Sequence, residues 1–100
     1  MQKTGFYVSK REDQVGFRIC FANGYGISVL FGGDSGSNPV SVKETESGTD
    51  YFCENAEIAV INKDDKIVPF KNDETVREFS LPEDLPQIFS WAMNRWILKY

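Results

Sequence analysis

No histidine occurs anywhere in this 100-residue sequence. Its absence removes the side chain that most often serves as a general base or a proton switch near neutral pH. Cysteine is scarce, with only Cys20 and Cys53, and two cysteines without a histidine make no zinc-ligand set. Long apolar runs are missing too: no stretch approaches the roughly 18 residues needed to span a bilayer. Residues 1–7 hold no apolar run that could act as a signal-peptide core. The expectation is a cytoplasmic protein that does not enter membranes, with both cysteines as reduced thiols. Basic residues are outnumbered, eleven against fifteen acids, for a net charge of −4. Free nucleic acid is therefore not an expected partner, since phosphate binding needs a basic footprint.

The acidity is uneven. Residues 44–84 carry twelve acids and four bases, and the rest of the chain carries three acids and seven bases. Such a segment reads either as a solvated surface or as a docking face for a basic partner. Fourteen aromatic residues, eight of them phenylalanine, are the main resource for a core. One α+β domain over residues 1–100 is expected, an antiparallel β-meander with a single C-terminal helix packed on one face.

The strongest local pattern is Val15-Gly16-Phe17-Arg18-Ile19-Cys20-Phe21, then Ala22-Asn23-Gly24, then Tyr25-Gly26-Ile27-Ser28-Val29-Leu30-Phe31. Asn-Gly commonly marks a two-residue hairpin turn. In that register the large apolar residues of the two arms would face opposite sides of the sheet. A three-residue loop, Ala22-Asn23-Gly24, puts all eight on one side and Gly24 at a left-handed position. The second register is the one we expect, with Gly24 sensitive to substitution and Asn23 less so. A second hairpin is expected over residues 56–70, with Pro69 confining its last strand to an edge. Shorter strands are expected at residues 6–9 and 76–79.

The chain closes with its best helical signal, about residues 81–100. Ser80-Leu81-Pro82-Glu83 has the form of a capping box, with Ser80 as N-cap and Glu83 answering it. Leu85, Ile88, Phe89, Ala92, Met93, Trp96 and Tyr100 then recur at three- and four-residue steps. Trp96 lies near the centre of that stripe and should be buried. Trp91 and Leu98 fall well away from it, so Trp91, Leu98 and Arg95 form an expected contact surface, to a partner protein or across a homodimer axis. On the sheet's second face Tyr7, Cys20, Leu30, Ala59 and Ile61 make another candidate patch.

Between the hairpins lies a long Gly/Ser-rich loop, residues 32–55, poor in hydrophobes. Either Val40-Ser41-Val42 forms a short strand inside it, or the loop itself serves function. Gly33-Asp34-Ser35-Gly36 looks like the sequence around a serine-protease nucleophile. That chemistry needs a base to take the serine proton, and this chain has no histidine to do so. The nucleophile-elbow spacing fails as well, because Ser37 stands where a second glycine is required. The same run could instead turn backbone N–H groups toward an anion, so Gly33, Ser35, Gly36 and Ser37 are the candidates for a small ligand or nucleotide. Carboxylate pairs such as Asp64/Asp65 and Glu83/Asp84 sit in turns or at a helix start, where solvation accounts for them. The chain therefore reads as non-enzymatic, with no cofactor.

Asn23-Gly24-Tyr25-Gly26-Ile27-Ser28-Val29-Leu30-Phe31-Gly32 and the later Asn55-Ala56-Glu57-Ile58-Ala59 resemble a group of small phage and prophage proteins. These share an N-G-aromatic-x-x-S-V-x-F/W-G hairpin and an N/D-A-E-V/I-A strand. The likeness covers roughly residues 14–62, together with a similar C-terminal helix, and the loop after Gly32 departs from the P-G-N-Y-C type found in the group. The resemblance implies a setting and no activity: a mobile-element protein in the cytoplasm of a bacterial host, acting by contact with a host or defence protein, for example as a counter-defence inhibitor. A small-ligand binder using residues 32–38 and a self-assembling phage component are the alternatives.

Overall fold

The computed structural model describes residues 3–69 and 76–94. Among the described residues eight strands form in chain order: β1 (Gly5–Arg11), β2 (Gln14–Cys20), β3 (Gly26–Gly32), β4 (Ser41–Thr45), β5 (Gly48–Phe52), β6 (Ala56–Ile61), β7 (Ile67–Val68) and β8 (Val76–Ser80). A 3-10 turn at Pro82–Asp84 leads into the helix α1 (Leu85–Met93). Six strands make one antiparallel sheet in the order β1-β2-β3-β6-β7, with β8 sharing the same edge of β6 as β7. The expected meander is present, with one hairpin, β4–β5, inserted between β3 and β6 as a separate two-stranded ribbon.

The register of β2 and β3 follows from hydrophobic alternation. Val15 stands opposite Phe31, Phe17 opposite Val29 and Ile19 opposite Ile27, so the large apolar residues share one face. The loop has three residues: Phe21 N–H donates to Tyr25 O at 2.8 Å, and Gly24 N–H to Phe21 O at 3.0 Å. Gly24 takes φ +90°, a region that L side chains seldom enter. A Cβ there would also come within 3.1 Å of Lys63 Cβ.

β6 continues the apolar face, with Val60 opposite Ile27 and Ile58 opposite Val29. Helix α1 lies over these strands, and its Ile88 and Ala92 join Ile27, Val29, Ala56, Ile58 and Val60 in one buried cluster. Ile27, Ile58, Ile88, Val29 and Val60 are its largest fully buried side chains, each worth roughly 1.5–3 kcal/mol of apolar burial. Phe17 and Phe31 flank the cluster with ring centroids 6.4 Å apart, and Phe21 meets Phe89 edge to face at 6.1 Å.

Several expectations need correction. The helix start is capped one residue later than the sequence pattern implies: Leu81 N–H donates to Asp84 Oδ2 at 2.9 Å. Ser80 is held in the β8–β6 ladder opposite Ala56, and its hydroxyl turns back to Arg77 O at 3.3 Å. Met93, placed in the apolar stripe by spacing, is 54% exposed. The second-face patch is largely covered, since Cys20, Ala59 and Ile61 are all buried. Phe70, Arg95, Trp96, Leu98 and Tyr100 lie outside the described residues.

Asn23 does more than shape a turn. Its Oδ1 accepts from Tyr25 N–H at 2.9 Å, while its Nδ2 donates to Ala92 O at 2.9 Å and Met93 O at 3.2 Å. The hairpin loop thus adds a side-chain donor to two carbonyls at the helix end, where the intrahelical ladder runs out. Asn23→Ala is expected to lower the free energy of unfolding by about 1–2 kcal/mol, a loss comparable to that from Gly24→Val. Urea denaturation measures both. An unchanged midpoint for Asn23→Ala would show that this tie contributes nothing.

Candidate functional site

The Gly/Ser-rich loop is built around its own hydrogen bonds. Gly32 N–H donates to Ser37 Oγ at 2.7 Å, and Ser35 N–H to Gly32 O at 3.1 Å. Gly36 N–H donates to Glu57 Oε1 at 2.8 Å, and Asn38 N–H to Asn55 Oδ1 at 2.8 Å. Gly33 adopts φ +58° beside Gln14. A bulge in β8, where Glu78 and Phe79 together stand opposite Glu57, brings Phe79 N–H to Gly36 O at 2.8 Å. It also brings the Glu78 side chain so close to Gly36 that a Cβ there would collide with it. The loop that offered Gly33, Ser35, Gly36 and Ser37 as an anion cradle therefore turns four N–H groups inward. It also stands against two carboxylates, which disfavour an anion.

What the loop does is set the root of an arm. β4 and β5 pair from Ser41–Phe52 to Thr45–Gly48, and all ten of their residues are exposed. Residues 32–55 do contain a strand, at Ser41–Thr45 rather than residues 40–42, and it has a partner in β5. Cys53 fastens the arm's base, its Sγ donating to Asn38 O at 3.1 Å.

Where arm, loop and sheet meet, the helix-side face is hollow. Val15, Phe31, Val40, Tyr51, Phe52 and Cys53 line a cavity of about 240 Å³. A second, of about 130 Å³, shares Phe31 and Cys53 and runs on past Phe17 and Leu81 to Leu85 at the helix start. The second is walled almost wholly by apolar groups and the first mostly so, and Phe52 and Leu81 stand exposed at their rims. Lys10 Nζ lies 6.0 Å from the centroid of the Tyr51 ring, a weak cation–π contact joining the arm to β1. Sequence reasoning missed this groove because its walls come from four distant segments. Only the Tyr51-Phe52 pair in an otherwise polar stretch hinted at it.

The helix surface expected for binding is placed differently. Trp91 is half-buried and packs against the core cluster. Counting Met93 as buried had rotated the apolar stripe's centre away from Trp91. With Ile88 and Ala92 as the buried pair and Leu85 half-buried beside them, Trp91 lies on the stripe's flank, at about 100° per residue. Arg95 and Leu98 are outside the described residues. No disulfide joins Cys20 and Cys53. Burial pushes the Cys20 thiol up, outweighing the opposing pull of Arg18, with Asp65 adding to the rise. This is the reverse of the depressed pKa of a reactive cysteine.

The chain matches no protein-family model, and neither the curated proteins nor the solved structures yield a match.

Because Trp91 contributes to the core, Trp91→Ala is expected to destabilise the fold by about 1–3 kcal/mol, less than a fully buried aromatic would. Thermal and urea unfolding check this. A variant as stable as the parent would return Trp91 to the outer surface.

Proposed function

We propose that this chain is a non-enzymatic binding protein that docks on another protein through the β4–β5 arm and the apolar hollow at its root. The observation that carries the reading is the arm itself. Ten consecutive-strand residues are exposed and belong to no part of the core. An isolated two-stranded ribbon is marginal in water, so a chain this short gains little stability from it. Beside it, an open apolar hollow offers a socket for a partner's side chain, flanked by the exposed Phe52 and Tyr51. Aromatic anchors next to a pocket are the usual seat of binding energy.

Charge gives the partner's character. Glu44, Glu46 and Asp50 on the arm, against Lys43, suit a basic surface. The likeness to phage and prophage proteins adds the setting: the partner is a host or defence protein in a bacterial cytoplasm, and blocking it is the activity. Nucleotide capture by residues 32–38 has less support, given the inward hydrogen bonds of that loop.

Affinity capture from bacterial lysate with wild-type and Phe52→Ser protein tests this. The expected result is a stoichiometric protein partner whose affinity falls at least roughly 30-fold in the variant, while thermal unfolding is unchanged. Full retention of the partner by Phe52→Ser would overturn the arm as the docking element.

A further inference from the structure

At the sheet's other end, β1 is an edge strand: it pairs with β2 on one side, and no described strand lies on the other. β1 and β2 are joined by only two residues, Glu12 and Asp13, so the closing pair Arg11 and Gln14 must exchange hydrogen bonds. Alternation along an antiparallel ladder then makes Gly5, Tyr7, Ser9 and Arg11 the residues bonded to β2. Phe6, Val8 and Lys10 turn their N–H and C=O groups outward. The side chains of Phe6 and Val8 stand opposite Ile19 and Phe17, on the helix-side face, yet are 74% and 81% exposed.

Edges of this kind are usually blunted by a proline, a bulge, shortness or charge. β1 is seven residues long, continuous in register and free of proline, and its charges, Lys10 and Arg11, lie at one end only. We propose that β1 pairs with β1 of a second copy, antiparallel about a twofold axis through Val8. This register uses the whole strand and places every outward-facing residue opposite another: Val8 on Val8, and Phe6 on Lys10. Arg11 falls opposite Gly5, so no two like charges meet. Phe6 and Val8 of both copies then form one apolar strip, with the Lys10 stems laid beside the Phe6 rings. The interface is small, so the dimer is concentration-dependent, and its Lys10 end adjoins the arm, whose Tyr51 ring lies 6.0 Å from Lys10 Nζ.

Sedimentation equilibrium over a concentration series, on the full chain, reads the outcome. Wild type is expected to move from monomer to dimer. Val8→Lys, which sets two ammonium groups face to face on the axis, is expected to stay monomeric with an unchanged circular dichroism spectrum. Val8→Cys, under mild oxidation, is expected to form a disulfide-linked dimer that the parent protein, with only its own two cysteines, does not form. A wild type that remains monomeric throughout overturns the proposal. So does a Val8→Lys variant that still dimerises, or a folded Val8→Cys variant that fails to cross-link.

Discussion

The pairing of β3 with β6 is the constraint on which the rest of the molecule depends. Ile27 against Val60 and Val29 against Ile58 form the floor on which Ile88 and Ala92 of the helix rest. These two strands are adjacent in space but separated by more than twenty residues, so their union requires closing a long loop. Everything inserted between them must leave that closure intact. The hydrogen bonds of residues 32–38 with Glu57, Asn55 and the β8 bulge do this work. They hold the two chain segments entering and leaving the arm against the central sheet.

From that floor the molecule divides into parts with different duties. The centre, with β3, β6 and α1, contains the fully buried side chains. Asn23 ties the β2–β3 loop to the helix end, and so fixes the helix's position along the sheet from outside the core. A second hairpin loop repeats the first in form. Asn62 N–H donates to Lys66 O, and Asp65, at φ +61°, takes the left-handed place that Gly24 holds in the first. The periphery, β1 at one edge and the β4–β5 ribbon at one end, buries little and exposes aromatic and aliphatic side chains. In a chain with so small a core, exposed apolar surface concentrated on peripheral strands is surface available for contact.

The central part was legible in the sequence because it obeys period-two alternation under a strong condition. Of the two hairpin registers, only one puts Ile19, Ile27, Phe17 and Val29 on the same face, and burial selects that one. The helix was legible from its spacing, but its edges were not. Met93 fits the apolar period yet points outward, and Ser80 fits a capping box yet is committed to β8. Local patterns propose partners that tertiary structure then assigns elsewhere. The arm was half-legible: Val40-Ser41-Val42 suggested a strand, but its mate, Gly48–Phe52, is too polar to announce itself by hydrophobicity. The groove at its root depends on Val15, Phe31, Val40 and Phe52 meeting in space, which no local spacing encodes.

A β3–β6–helix core holds the buried side chains, and the exposed arm stands apart from it. Residue-resolved amide hydrogen exchange on the isolated protein tests this most directly. Amides of β3 and β6 should exchange only through global unfolding, with a common free energy, and those of β4 and β5 should exchange far faster through local opening. Arm amides protected as strongly as those of β6 would overturn this division, because the ribbon would then be part of the cooperative core.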